Sequence, residues 1–153
     1  MHNSEIVDQA AQPVLSIRVR TSVERLPEWL GKAYSLVIRH MAELGEQPTG
    51  APFAAYHNMD MQNLDVEAGF PVARILPGKG EIAAREIEAG KQARCLHTGP
   101  YAASAPVYEA LTKYLSEKGY TSTGVAFEYY LNESGQTPED ELQTMIVFPL
   151  APR

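Results

Sequence analysis

The chain has 153 residues, 19 acidic against 13 basic, and one cysteine, Cys95. That length supports one domain with a real core. A single cysteine cannot form an intramolecular bridge and no Cys/His spacing resembles a zinc site, so no metal and no cofactor is expected. A net charge of −6 without a Lys/Arg cluster lacks the phosphate-neutralising surface of a nucleic-acid binder, so direct DNA contact is not expected. No basic-then-apolar leader is seen, and no apolar run approaches the ~20 residues that span a bilayer; the expectation is a cytoplasmic protein without membrane contact.

Met1 to Gln12 is polar and aperiodic and reads as a frayed tail beside the first strand. Val14 to Arg20 alternates, with Leu15, Ile17 and Val19 on one side, and predicts a half-buried strand. Ser22 is placed to cap a helix near residues 24 to 45, with Pro27 in its first turn. Its apolar positions Trp29, Leu30, Ala33, Val37, Met41 and Leu44 recur at helical spacing, and Gly45 stops it. Turn chemistry at Pro48 to Pro52 precedes strands over Phe53–Asn58 and Leu64–Val72.

Pro77-Gly-Lys-Gly80 divides the chain, and a similar order follows. Strands are predicted over Ile82–Glu88 and Gln92–Thr98, then a helix over about 102–119 ended by Gly119, then a strand from Val125 to Leu131. At an offset of 74, Tyr34 falls on Tyr108, Gly45 on Gly119, Phe53 on Phe127 and Tyr56 on Tyr130. At 78, Leu64 falls on Leu142 and Phe70-Pro71 on Phe148-Pro149, with an insertion in the loop Glu133 to Glu141. This self-similarity predicts an α+β fold of duplicated β-α-β-β units, about 13–76 and 80–153, within a single domain spanning 1–153. The units are expected to be related by a pseudo-two-fold, with an antiparallel sheet, two main helices and a central ligand cleft.

Glu128 is the residue to explain, because it stands in the aromatic run Val125 to Leu131. Period-two alternation puts Val125, Phe127, Tyr129 and Leu131 on one face and Ala126, Glu128 and Tyr130 on the other. The expected helix-side core holds Phe53, Phe127, Tyr129 and Leu131, and Tyr56 and Tyr130 face the cleft. A carboxylate in apolar surroundings must pair, neutralise or meet a cationic partner; a strand-edge Glu pointing into water is the alternative. The pseudo-symmetry mate of Glu128 is Ala54, so the acid is an asymmetric feature on a symmetric scaffold. Glu67, the mate of Met145, is another candidate acid or base, with a solvated strand residue as the preferred reading, and Cys95 and His97 read as a packing pair.

Three phrases carry a family resemblance: Cys95-Leu-His-Thr-Gly-Pro-Tyr101 before a helix, Phe127-Glu128-Tyr129-Tyr130, and Gln143-Thr-Met-Ile-Val-Phe-Pro149. With the duplicated unit, they make the chain similar to the GyrI-like, or AraC-type effector-binding, domain family over nearly its whole length. The resemblance implies a drug-sensing or sequestering domain in which Glu128 meets cationic aromatic ligands between tyrosines. The candidate ligand-binding set is Glu128, Tyr130, Tyr56 and Tyr101, with Leu96, Met145 and Trp29. Hydrolysis of small electrophilic, cyclopropane-type toxins is the alternative, with Glu128 and Tyr101 as its catalytic pair, and a gyrase-inhibitor-like interaction module is a third. Many relatives carry an acid where this chain has Met145. Expected partners are a small organic cation and a regulator or gyrase protein. No helix-turn-helix fits beside the duplicated unit, so a role in transcription would run through a partner.

Overall fold

A computed structural model describes residues 3–132 and 136–152. Among them are β1 (Ser4–Gln9), β2 (Gln12–Thr21), helix α1 (Leu26–Glu43), β3 (Phe53–Tyr56), β4 (Leu64–Pro71) and β5 (Ala83–Ile87). β6 (Gly90–Thr98), helix α2 (Ala105–Lys118), β7 (Ala126–Tyr130) and β8 (Gln143–Pro149) follow. The fold is α+β, with eight antiparallel strands and two helices. The first part of the expected loop insertion, Glu133 to Gly135, lies outside the described residues.

The strands fall into two compact units, residues 10–89 and residues 1–9 with 90–153. In the first, β5, β2, β4 and β3 pair in that order. In the second the order is β1, β6, β8, β7. The N-terminal segment is therefore not a frayed tail. Ser4–Gln9 pairs along its whole length with Gly90–Cys95 of β6, with Arg94 bonded to Glu5 at 2.5 Å and Lys91 to Asp8 at 3.0 Å across the strands. Its alternation is short and mostly polar because it is an edge strand, which sequence periodicity registers poorly.

The offsets read from the sequence recur in the pairing. Phe53 opposes Gly69 and Phe127 opposes Val147; Tyr56 opposes Val66 and Tyr130 opposes Thr144. Both helices end as expected. Gly45 and Gly119 take positive φ, the left-handed turn that glycine enters without a Cβ penalty. Ser22 does not cap α1: the N-cap is Arg25, no side chain bonds the first turn, and Ser22 instead offers its carbonyl to the Arg25 amide at 3.1 Å. Pro27 sits in the first turn of α1, as its missing N–H permits.

Each unit has its own core beneath its helix. Leu15, Ile17, Ala68 and Phe70 meet Ala33, Val37 and Met41 of α1. Ala93, Cys95, Ile146 and Phe148 meet Val107, Leu111 and Leu115 of α2. The expected face assignment is reversed. Strand register places Glu128 opposite Ile146 and Tyr130 opposite Thr144, on the α2 side, while Phe127 and Tyr129 share the other face with Val147 and Met145. Phe53 opposes Gly69 on the face away from α1, and Tyr56 lies on the α1 side beside Val66. Alternation fixes which residues share a face; it does not say which face the helix covers. Leu131 lies past the end of β7 and is exposed. Among the described residues, no helix is long and apolar enough to cross a membrane.

Candidate small-molecule site around Glu128

Glu128 sits in the middle of β7, half-buried under α2. Its carboxylate accepts two phenolic hydrogen bonds. Tyr130, two residues along the same strand face, donates to Oε1 at 2.9 Å. Tyr108, from α2, donates to Oε2 in a short bond. Among the described residues no Lys, Arg or His pairs with Glu128. The site thus holds a carboxylate on neutral donors alone.

The aromatic surroundings follow from local chain chemistry. Gly99-Pro100 turns the chain out of β6, with Gly99 bonded to the Leu142 carbonyl at 2.7 Å, and a 3-10 turn at Tyr101–Ala103 precedes α2. That turn brings Tyr101 edge-on to Tyr130, with ring centroids 5.4 Å apart. Tyr108 rests on Phe148 at 5.7 Å. An edge-to-face pair orients the rings without using their faces fully, which is the geometry that aromatic clusters prefer. Thr144, opposite both Tyr130 and His97 in register, buries a hydroxyl oxygen with no hydrogen-bond partner among the described residues. His97 donates from Nε2 to the Pro100 carbonyl at 2.8 Å and so braces the turn that carries Tyr101.

The candidate set divides. Glu128, Tyr130 and Tyr101 come together. Leu96 and Met145 oppose each other in register on the sheet face turned away from α2, so neither shares a face with Glu128. Tyr56 and Trp29 belong to the unit of residues 10–89, Tyr56 at the end of β3 and Trp29 packed on the core under α1. Tyr108 and Thr144 were not in the candidate set. The signal for Tyr108 was present in its match with Tyr34, whose phenol donates to the Phe53 carbonyl at 2.9 Å. A tyrosine at one helical position reaches for the neighbouring strand in both units, and only in one does it find an acid.

Glu67 is not the solvated residue expected. It is 8% exposed, accepts from Ser16 Oγ at 2.6 Å and lies 3.0 Å from His57 Nε2, with Arg85 Nε at 3.9 Å. Burial pushes its carboxyl up, but hydrogen bonds from His57 and Ser16 and the charges of His57 and Arg85 outweigh that and hold it below the usual range. Gly69 makes this approach of β2 and β4 feasible, since a Cβ there would meet the Leu15 carbonyl oxygen at 2.1 Å.

Solved structures share the fold. A chain of the EcmrR-DNA complex in EcmrR-RPo, solved by cryo-EM, matches with a TM-score of 0.84 at 21% identity, over 97% of this chain. This chain spans 57% of that one. The EcmrR C-terminal domain matches at 0.81 and 20% identity, covering 99% of this chain and 98% of the other. A structure described as a hydrolase from Listeria innocua matches at 0.73 and 10% identity, over 97% and 92%. SAV2435 bound to tetraphenylphosphonium matches at 0.69 and 10% identity, over 97% and 94%. A search of curated proteins finds no match. The family model described as the GyrI-like small molecule binding domain matches residues 2–151, and the chain belongs to that family.

Proposed function

We propose that the chain is an effector-binding module for cationic aromatic or amphipathic compounds, sensing or sequestering them at Glu128. The observation that carries this reading is a half-buried carboxylate held by two phenols with no cationic side chain paired to it among the described residues. An incoming cation supplies the missing charge, and the faces of Tyr101 and Tyr130 supply cation–π attraction of about 0.5–2 kcal/mol each. Tetraphenylphosphonium, named for SAV2435, is a ligand of this chemical class. A link to transcription is in keeping with the fold shared with EcmrR.

Fluorescence titration with a rhodamine or phosphonium dye tests the proposal. Flat cations are expected to bind at about micromolar Kd, near −8 kcal/mol, and anionic dyes of equal size are not. Glu128→Gln keeps shape and hydrogen bonding and is expected to lose cation affinity. Equal binding of both dye classes would remove Glu128 from selection. The same pair of proteins, offered small esters, epoxides and cyclopropanes, addresses the hydrolase alternative: multiple turnovers that vanish in Glu128→Gln would replace binding with catalysis.

A further inference from the structure

We propose that the open edge of β2 from Arg18 to Thr21 accepts an extended segment of another protein, in which apolar residues alternate with acidic ones, as a further antiparallel strand. This edge lies in the unit of residues 10–89 and does not rest on the cation-sensing proposal. β4 pairs with β2 from Val14 to Thr21, whereas β5 covers its other side only from Gln12 to Ser16. Before β5, Lys79 and Ile82 exchange backbone hydrogen bonds at 2.9 Å, so the chain turns back on itself instead of continuing along β2. The Pro13 carbonyl accepts from the Val72 amide at 3.0 Å, on the β4 side, and backbone groups alternate sides along a strand. The N–H and C=O of Val14 and Ser16 therefore point to β5, and those of Arg18 and Arg20 point the same way beyond its end. Among the described residues no strand or loop pairs with them there. Such a row of backbone groups is a template for strand addition.

The second observation is a groove of about 400 Å³ on the α1 side of this edge, lined by Ile17, Leu36, Arg39, His40, Lys79 and Ile82 among others. Leu36 is 44% exposed there. Charge complementarity sets the occupant. Ile17 and Val19 share the α1 face of β2, and Arg18 and Arg20 the opposite face. On its paired side β2 already meets Leu64-Asp65-Val66-Glu67, with Asp65 opposite Arg20 and Glu67 opposite Arg18. A strand on the open side meets the same two faces, so it matches with acids opposite the arginines and apolar residues opposite Val19 and Thr21, on the face of the groove. Arg20 is available for this: its side chain is 59% exposed and 3.8 Å from Asp65, which Arg18 engages through both oxygens at 2.8 Å. A second copy of this chain does not match. Pairing two such edges antiparallel about Val19 sets Arg18 of one copy opposite Arg20 of the other.

The probe is a capped peptide of about six residues alternating valine with glutamate, titrated into the nitrogen-15-labelled full chain; lysine replaces glutamate in the control. The glutamate peptide is expected to bind at least about tenfold more tightly than the control, to shift the Arg18 and Arg20 amides and to slow their hydrogen exchange. Arg20→Glu is expected to reverse the preference. Leu36→Lys, at an exposed position, is expected to weaken the glutamate peptide about fivefold. Amide signals away from the edge report that both variants stay folded. The proposal is overturned if neither peptide binds at about millimolar concentration, if the two bind equally, or if both variants leave the preference and affinity as they were. It is also overturned if the two arginine amides become protected with rising protein concentration alone, which would assign the edge to a second copy.

Discussion

Glu128 and Glu67 are each a partly or fully buried strand carboxylate, one in each of the two units, and their surroundings differ in kind. Glu67 is surrounded by Ser16, His57 and Arg85, so its charge is met from within the fold. Glu128 is held by the phenols of Tyr108 and Tyr130 and has no cationic side chain as partner among the described residues. Burial of a charge therefore does not by itself mark a ligand site. A carboxylate supplied with its own cations is a finished internal structure, whereas one resting on neutral donors retains a net attraction for a cation from outside.

The largest expected effect separates the two acids by stability. Glu67→Leu removes one member of a buried network and strands His57 and Ser16, and is expected to cost about 3–5 kcal/mol. Glu128→Gln still offers both phenols an amide partner, and is expected to cost under about 1 kcal/mol. Urea unfolding midpoints at constant m measure both. Equal costs would erase the distinction.

Acid titration sharpens the same contrast at Glu67. Its folded-state pKa lies below the unfolded value near ~4.3, so the stability it contributes is fully present above that value and is lost as pH falls through the folded one. The stability gap between wild type and Glu67→Gln should therefore be present at about pH 5 and above and close as pH falls below it. Asp65, lowered chiefly by its hydrogen bonds to Arg18, titrates in the same direction, so Asp65→Asn serves as the background. A gap that widened as pH fell below about 5 would mean that the network stabilises the neutral acid instead.

Much of this fold was legible in the residues. Leu15, Ile17 and Val19 alternate cleanly because one side of β2 meets a helix. Phe53 and Phe127, read as equivalent from an offset of 74, oppose Gly69 and Val147, which are themselves 78 apart. β1 was missed because an edge strand of Ser, Glu, Asp and Gln is fixed by its partner strand, not by its own pattern. The covered face was misassigned because a strand with large apolar groups on both sides, such as Ala126 to Tyr130, carries no internal mark of where its helix lies. At the site, Glu128 and Tyr130 were visible as strand neighbours. Tyr108 lay 20 residues away on a helix, and only its correspondence with Tyr34 pointed to it. Glu67 looked solvated because its partners Ser16, His57 and Arg85 come from three other segments.

The smallest effect compares the two equivalent tyrosines. Tyr34 and Tyr108 each rest on a phenylalanine, Phe70 at 5.6 Å and Phe148 at 5.7 Å, and each donates its phenol to the neighbouring strand. Their acceptors differ: a neutral backbone carbonyl for Tyr34, a carboxylate for Tyr108. Hydrogen bonds to neutral groups contribute about 0.5–1.5 kcal/mol and those to charged groups about 1.5–3, the latter reduced here because Glu128 is only half-buried. Tyr108→Phe should accordingly destabilise by about 1 kcal/mol more than Tyr34→Phe. A double-mutant cycle of Tyr108→Phe with Glu128→Gln isolates the part owed to the charge, since the amide keeps an acceptor while removing the ionised oxygen. A coupling energy near zero, with both phenylalanine variants equally stable, would mean that Tyr108 packs on Phe148 without holding the acid, and Glu128 would then rest on Tyr130 alone.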